Sequence, residues 1–138
     1  MAEKQIDALI NAVAGENAAI WAYGFLMAFL GEDEYQAAFK FFNAHRDARD
    51  AARLKLRALN QTPPRPEPNY DLPFPVNNDE AARQLAAFLE DRLSGIYAAW
   101  VATETNEDQI YAFEKALETA GRYYFWAKEV KSFPGAVA

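Results

Sequence analysis

The sequence predicts an all-α protein of four helices, arranged as two antiparallel helical hairpins joined by a long Pro-rich crossover strap. Three observations carry this. Apolar residues recur at steps of three and four in four separate segments, the period of a helix with one buried face. Alanine occurs 28 times in 138 residues, which favours helices that pack closely. Six of the seven prolines fall within one stretch, QTPPRPEPNYDLPFPVN, which therefore cannot be helical.

The first helix is predicted over residues 2–30, with Ile6, Leu9, Ile10, Val13, Ile20, Met27 and Leu30 on one face and Gly31 as its C-cap. Glu32, Asp33 and Glu34 then suit the positive N-terminal end of a second helix, predicted over 33–59. Its inner face reads as Tyr35, Phe39, Phe42, Ala52, Leu56 and Leu59. The third helix, 78–103, starts near Asn77 or Asn78, where NNDE offers a capping side chain and Glu80 a capping-box position. It carries Leu85, Leu89, Leu93, Ile96 and Trp100. The fourth, 106–131, opens at a second capping signal, TNED, and ends before FPGAVA. Its inner stripe reads as Ile110, Phe113, Leu117, Ala120 and Tyr124. Gly15, Gly24, Gly95 and Gly121 lie inside helices, where glycine costs about 1 kcal/mol against alanine, so close backbone packing is the expected reason for them.

Between helices 2 and 3, residues 60–77 form the strap, extended and stiff. In its second half Tyr70, Leu72, Phe74 and Val76 alternate with Asp71, Pro73 and Pro75, so one side is apolar and is expected to lie along the bundle. About 17 residues at roughly 3.1 Å each span on the order of 50 Å, whereas a helix of about 25 residues is roughly 38 Å long. The strap can run the length of the bundle and leave helices 2 and 3 parallel. Two antiparallel pairs joined by one long crossover make the ferritin-like arrangement.

At this length a single domain, residues 1–138, can bury a real core. A net charge of −6 argues against general binding to nucleic acid or to an anionic membrane. There are no cysteines, which excludes disulfides, thiolate chemistry and sulfur-ligated metals. The longest apolar run, Ala18 to Leu30, is shorter than the roughly 20 residues a membrane span needs. MAEKQIDALINAV is charged and helical in pattern, unlike a cleaved signal peptide, so the expected setting is soluble and cytoplasmic.

Ferritin-like bundles with a di-metal centre take a glutamate from each of two helices and Glu-x-x-His from each of the other two. Here Glu16 falls on the inner stripe of helix 1, His45 faces inward from helix 2, and Glu90 sits beside Leu93 and Tyr97 on helix 3. Phe42 stands where a Glu-x-x-His ending at His45 needs glutamate, and one histidine cannot fill two such motifs. A single site for iron or manganese made from Glu16, His45 and Glu90 is geometrically open. The reading adopted is a buried polar cluster without metal: Arg49, one turn after His45, pairs with Glu16 or Glu90, because an unpaired buried carboxylate is strongly unfavourable. No catalytic or cofactor-binding residue is assigned. The two serines, Ser94 and Ser132, make no triad with His45, and no glycine-rich phosphate loop is present. Arg46, Arg53 and Arg57 form a stripe on helix 2 that Asp50 interrupts, which reads as a solvated ion-pair face. The aromatics of helices 1, 3 and 4 read as core, with some left over for a dimer contact.

ENAAIWAYGFL, HRDARDAARLKLRAL, TPPRPEPNYDLPFPV and AARQLAAFLEDRLSGIYAAWVA, in this order, resemble an uncharacterised family of ferritin-like domains, a domain of unknown function. The resemblance implies a four-helix ferritin-like fold and brings no established activity. The missing metal motif and the surplus aromatics make non-catalytic association, as a homodimer or with another protein, the expected function. A metal-binding protein or metal-dependent oxidoreductase on Glu16, His45 and Glu90 is the alternative, and a carrier of an apolar ligand between the helices is a third reading.

Overall fold

The computed structural model describes residues 2–103, 107–128 and 130. Its elements are α1 (Ala2–Leu26), a short 3₁₀ turn (Met27–Phe29), α2 (Glu32–Ala58), α3 (Asp79–Val101) and α4 (Glu107–Ala127). Among the described residues there is no strand, and no helix is long and apolar enough to cross a membrane.

Contacts between side chains give the helix directions. Gly15 and Glu16 lie at the level of Leu93 and Tyr97, whereas Tyr23 reaches Glu90, so α1 and α3 are antiparallel. Glu34 meets Arg83 and His45 meets Glu90, so α2 and α3 run parallel, as the length of the strap allows. Tyr111 lies against Trp100 while Arg122 meets Glu90, so α4 is antiparallel to α3. The result is two antiparallel hairpins joined by one long crossover.

Three ends differ in detail from expectation. The last predicted turns of helix 1 tighten into the 3₁₀ turn, and Gly31 is extended (φ −74°, ψ 173°), so it serves as the N-cap of α2 and not as a left-handed C-cap. The left-handed residue is Asn60 (φ 60°), at the end of α2. There Asn60 N–H donates to Arg57 O at 2.9 Å and Gln61 N–H to Leu56 O at 3.0 Å, a Schellman pair that turns the chain into the strap. At α3 the cap is Asn78, whose Oδ1 accepts from Ala81 N–H at 2.8 Å. Glu80 then falls one position short of a capping box and instead joins Glu34 and Asp79 around Arg83. The TNED signal and FPGAVA lie wholly or partly outside the described residues.

Two inner faces are rotated from the predicted ones. On α2 the buried residues are Ala38, His45, Ala48, Ala52 and Leu56, while Tyr35 and Phe39 are exposed. On α4 the inner face carries Ala112, Thr119, Arg122 and Trp126, and the predicted inner stripe of Ile110, Phe113, Leu117, Ala120 and Tyr124 faces solvent. On α4 this face is held by Trp126, wholly buried against Tyr23, and by Arg122, which pairs with the buried Glu90. Of the four intrahelical glycines only Gly15 is a close approach. A Cβ there would stand 2.9 Å from both Ile96 Cδ1 and Leu93 Cδ2, whereas one at Gly24, Gly95 or Gly121 would meet nothing within 4 Å.

The core falls into two apolar clusters. One gathers Tyr23, Leu26, Ala38, Leu85, Leu89 and Trp126, with Leu72 and Phe74 of the strap packed on it and Val76 buried in it. The other gathers Leu9, Val13, Ala52, Leu56, Leu93 and Trp100. Tyr70 tilts over Trp21 at 5.7 Å, and Phe74 meets Phe88 edge-on at 6.4 Å, which holds the strap on the bundle.

Candidate functional site

At the junction of the two clusters each helix delivers one acidic or basic side chain: Glu16 from α1, His45 from α2, Glu90 from α3 and Arg122 from α4. Glu16, His45 and Glu90 are wholly buried. His45 Nδ1 lies 2.5 Å from Glu16 Oε1, and Nε2 lies 2.8 Å from Glu90 Oε2. Tyr97 O–H donates to Glu16 Oε2 at 2.5 Å, and Tyr23 O–H donates to Glu90 Oε2 at 2.5 Å. Arg122 Nε–H supplies Glu90 Oε1 at 3.1 Å, and Trp126 Nε1–H donates to the Tyr23 hydroxyl at 2.9 Å. Every carboxylate oxygen has a donor, so the network is complete without water.

The two halves of the site use one spacing. Glu16 precedes Tyr23 by seven residues, and Glu90 precedes Tyr97 by seven. Seven residues rise about 10.5 Å along a helix. Because α1 and α3 are antiparallel, each glutamate stands level with the other helix's tyrosine, and the hydroxyls are exchanged. His45 closes the ring from α2 and Arg122 from α4.

The electrostatics follow from burial and pairing. Burial alone would push the His45 imidazole down, but its bonds to Glu16 and Glu90 outweigh that and raise it to about 9. Both ring nitrogens donate only in the imidazolium, which is what two flanking carboxylates require. Burial works to raise Glu90, yet the His45 and Arg122 charges hold it below the usual carboxylate value. Burial, and then the neighbouring carboxylates Glu90 and Glu16, push the Tyr23 and Tyr97 phenols well above 10, so both remain donors.

The same geometry bears on a metal. The two nitrogens of one imidazole point apart, so Glu16 and Glu90 lie on opposite sides of the ring and cannot converge with it on one ion. Among the described residues no group of three or more His, Asp or Glu is placed to hold a metal. The donor set does not fit the site implied by a di-metal bundle; the charge between the carboxylates comes from imidazolium and guanidinium.

Of the residues expected in this cluster, Glu16, His45 and Glu90 are brought together and Arg49 is not. Arg49 turns along α2, with Nε 3.0 Å from Asp50. Among the described residues it is Arg122 of α4 that reaches the free side of Glu90. Tyr23, Tyr97 and Trp126 were not anticipated as members; the repeated Glu-x₆-Tyr is the signal that locates two of them. The large aromatics pack ring against ring, Tyr97 on Trp100 at 6.0 Å and Tyr23 on Trp126 at 6.4 Å, as core side chains do.

A family model described as a domain of unknown function (DUF4439) matches residues 8–138. The crystal structure of a conserved hypothetical protein from Mycobacterium tuberculosis is similar, at 27% sequence identity and a TM-score of 0.89, covering 93% of this chain and 98% of that one. No curated protein matches the sequence.

Proposed function

We propose, starting from a chain that belongs to the DUF4439 family, that it is a non-catalytic, ferritin-like bundle acting through protein association, with a second copy of itself docked on α4. One observation carries the reading. Ile110, Phe113, Leu117 and Tyr124 are 63%, 53%, 58% and 68% exposed, in a row along one face of α4. Soluble monomers seldom leave so continuous an apolar row bare. The face also suits its own copy. Antiparallel helices related by a two-fold axis at Leu117 set Ile110 opposite Tyr124 and Phe113 opposite Gly121. Gly121 has open space where a side chain would stand, so large meets small on both sides of the axis. The central network supports the non-catalytic part, since its buried polar atoms are all engaged with one another.

Light scattering across micromolar concentrations should give a dimer, and Leu117→Glu should give a folded monomer by circular dichroism. A wild-type monomer throughout, or a dimer indifferent to both Leu117→Glu and Phe113→Glu, would overturn the reading. Elemental analysis after growth with added iron and manganese separates it from the metal-dependent alternative. The expected result is substoichiometric metal that His45→Ala leaves unchanged.

A further inference from the structure

The Schellman turn at Asn60 folds the start of the strap back on the last turns of α2. Between them lies a cavity of about 400 Å³, lined by Arg53, Arg57, Arg65, Thr62 and the rings of Pro63 and Pro66. Three arginines lining one cavity are unusual in a chain of net charge −6. The expected neutralisation by Asp50 reaches only part of the way. Asp50 Oδ1 is shared by Arg49 at 3.0 Å and Arg53 at 3.7 Å, and among the described residues neither Arg57 nor Arg65 has a carboxylate partner. Arg53 feels this crowding: burial first, and then the charges of Arg49 and Arg57, lower it from the ordinary arginine value.

The geometry points to this cavity as a binding site for a soluble phosphate-bearing anion, held by Arg53, Arg57 and Arg65. Guanidinium forks match phosphate oxygens two at a time, and three of them exceed what a single carboxylate can neutralise. Arg53 and Arg57 stand one turn apart on α2 and face the same way. Arg65 comes from the opposite wall, and the Thr62 hydroxyl is available to a remaining oxygen. The proline rings give the walls rigidity, so little ordering is needed on binding, and an apolar surface for the organic part of an ester. The site is on a different element from the α4 stripe and does not depend on the association reading.

The test is calorimetric titration of the full chain with inorganic pyrophosphate at low salt, repeated with Arg57→Ala/Arg65→Ala and with Arg92→Ala, an exposed arginine away from the cavity. Saturable binding is expected, weakened about tenfold or more for each cavity arginine removed and unchanged in Arg92→Ala. The two cavity substitutions are at exposed positions and should leave the fold intact by circular dichroism. Absence of saturation at millimolar pyrophosphate, or equal losses in the Arg92 variant, overturns the assignment. So does binding to vesicles of anionic lipid without binding to pyrophosphate, which would move the partner from a soluble ester to a membrane surface.

Discussion

At the scale of the residue, His45 is where sequence and structure agree, and the fourth partner is where they part. Glu16, His45 and Glu90 are legible because each is a polar residue at an apolar position of a helical pattern, and burial then forces them to meet. The choice between Arg49 and Arg122 is not legible that way, since the apolar stripe of Ile110, Phe113, Leu117 and Tyr124 puts Arg122 on the opposite face of its helix and only Arg49 reads as inward. Distance across the bundle decides it: Glu90 is already bonded to His45 and Tyr23 on one side, so its free oxygen faces α4. The assignment has a direct test in urea denaturation. Arg122→Ala leaves a buried carboxylate oxygen without its cation and should cost about 2 kcal/mol or more. Arg49→Ala removes a contact with exposed Asp50 and the packing of a mostly buried stem, leaves no buried charge unpaired, and should cost less than Arg122→Ala. Equal losses would put Arg49 back into the network. The Glu-x₆-Tyr spacing was in the sequence too, but only the antiparallel packing of α1 and α3 gives it meaning.

At the scale of the element, periodicity located all four helices and the strap, and it failed on which way two of them face. On α3 the predicted stripe is buried apart from the half-buried Ile96, and on α1 Leu9 and Val13 are buried with Ile6, Ile10 and Ile20 half-buried beside them. The α4 stripe misleads because four large apolar residues, Ile110, Phe113, Leu117 and Tyr124, face outward, while the inner face carries Ala112, Thr119, Arg122 and Trp126. A hydrophobic period reports a face that wants cover and does not say whether that cover lies within the same chain. Glycines mislead similarly. Gly24 lies in the exposed part of α1 with open space around it, so Gly24→Ala should gain roughly 0.5–1 kcal/mol from helix propensity alone. Gly15→Ala has the same intrinsic gain but drives a methyl into Leu93 and Ile96, and such overpacking costs about 1–3 kcal/mol. Thermal or urea melts should therefore rank Gly24→Ala above wild type and Gly15→Ala at or below it. A stabilised Gly15→Ala would mean that α1 and α3 can part without loss.

At the scale of the whole molecule, the network is the seam between two apolar clusters, so its protonation is coupled to the stability of both. His45 holds its proton up to about 9 in the folded chain and to the ordinary 6.5 in the unfolded one. Below 6.5 both states are protonated and the contribution is complete. Between 6.5 and 9 the folded state binds more protons than the unfolded, so stability falls as pH rises. The difference corresponds to about 3 kcal/mol. Glu90 acts in the opposite sense: its folded value lies below 4.5, so its contribution is present above 4.5 and is lost as the pH falls through that lower value. Stability should accordingly peak between about 4.5 and 6.5 and decline from there towards 9. Urea midpoints from pH 5 to pH 9 measure this, with His45→Gln as the reference, since a neutral amide cannot release a proton and its curve should be nearly flat from 6.5 to 9. A wild-type curve as flat as that of the glutamine variant would show that the imidazolium does not hold the two halves of the bundle together.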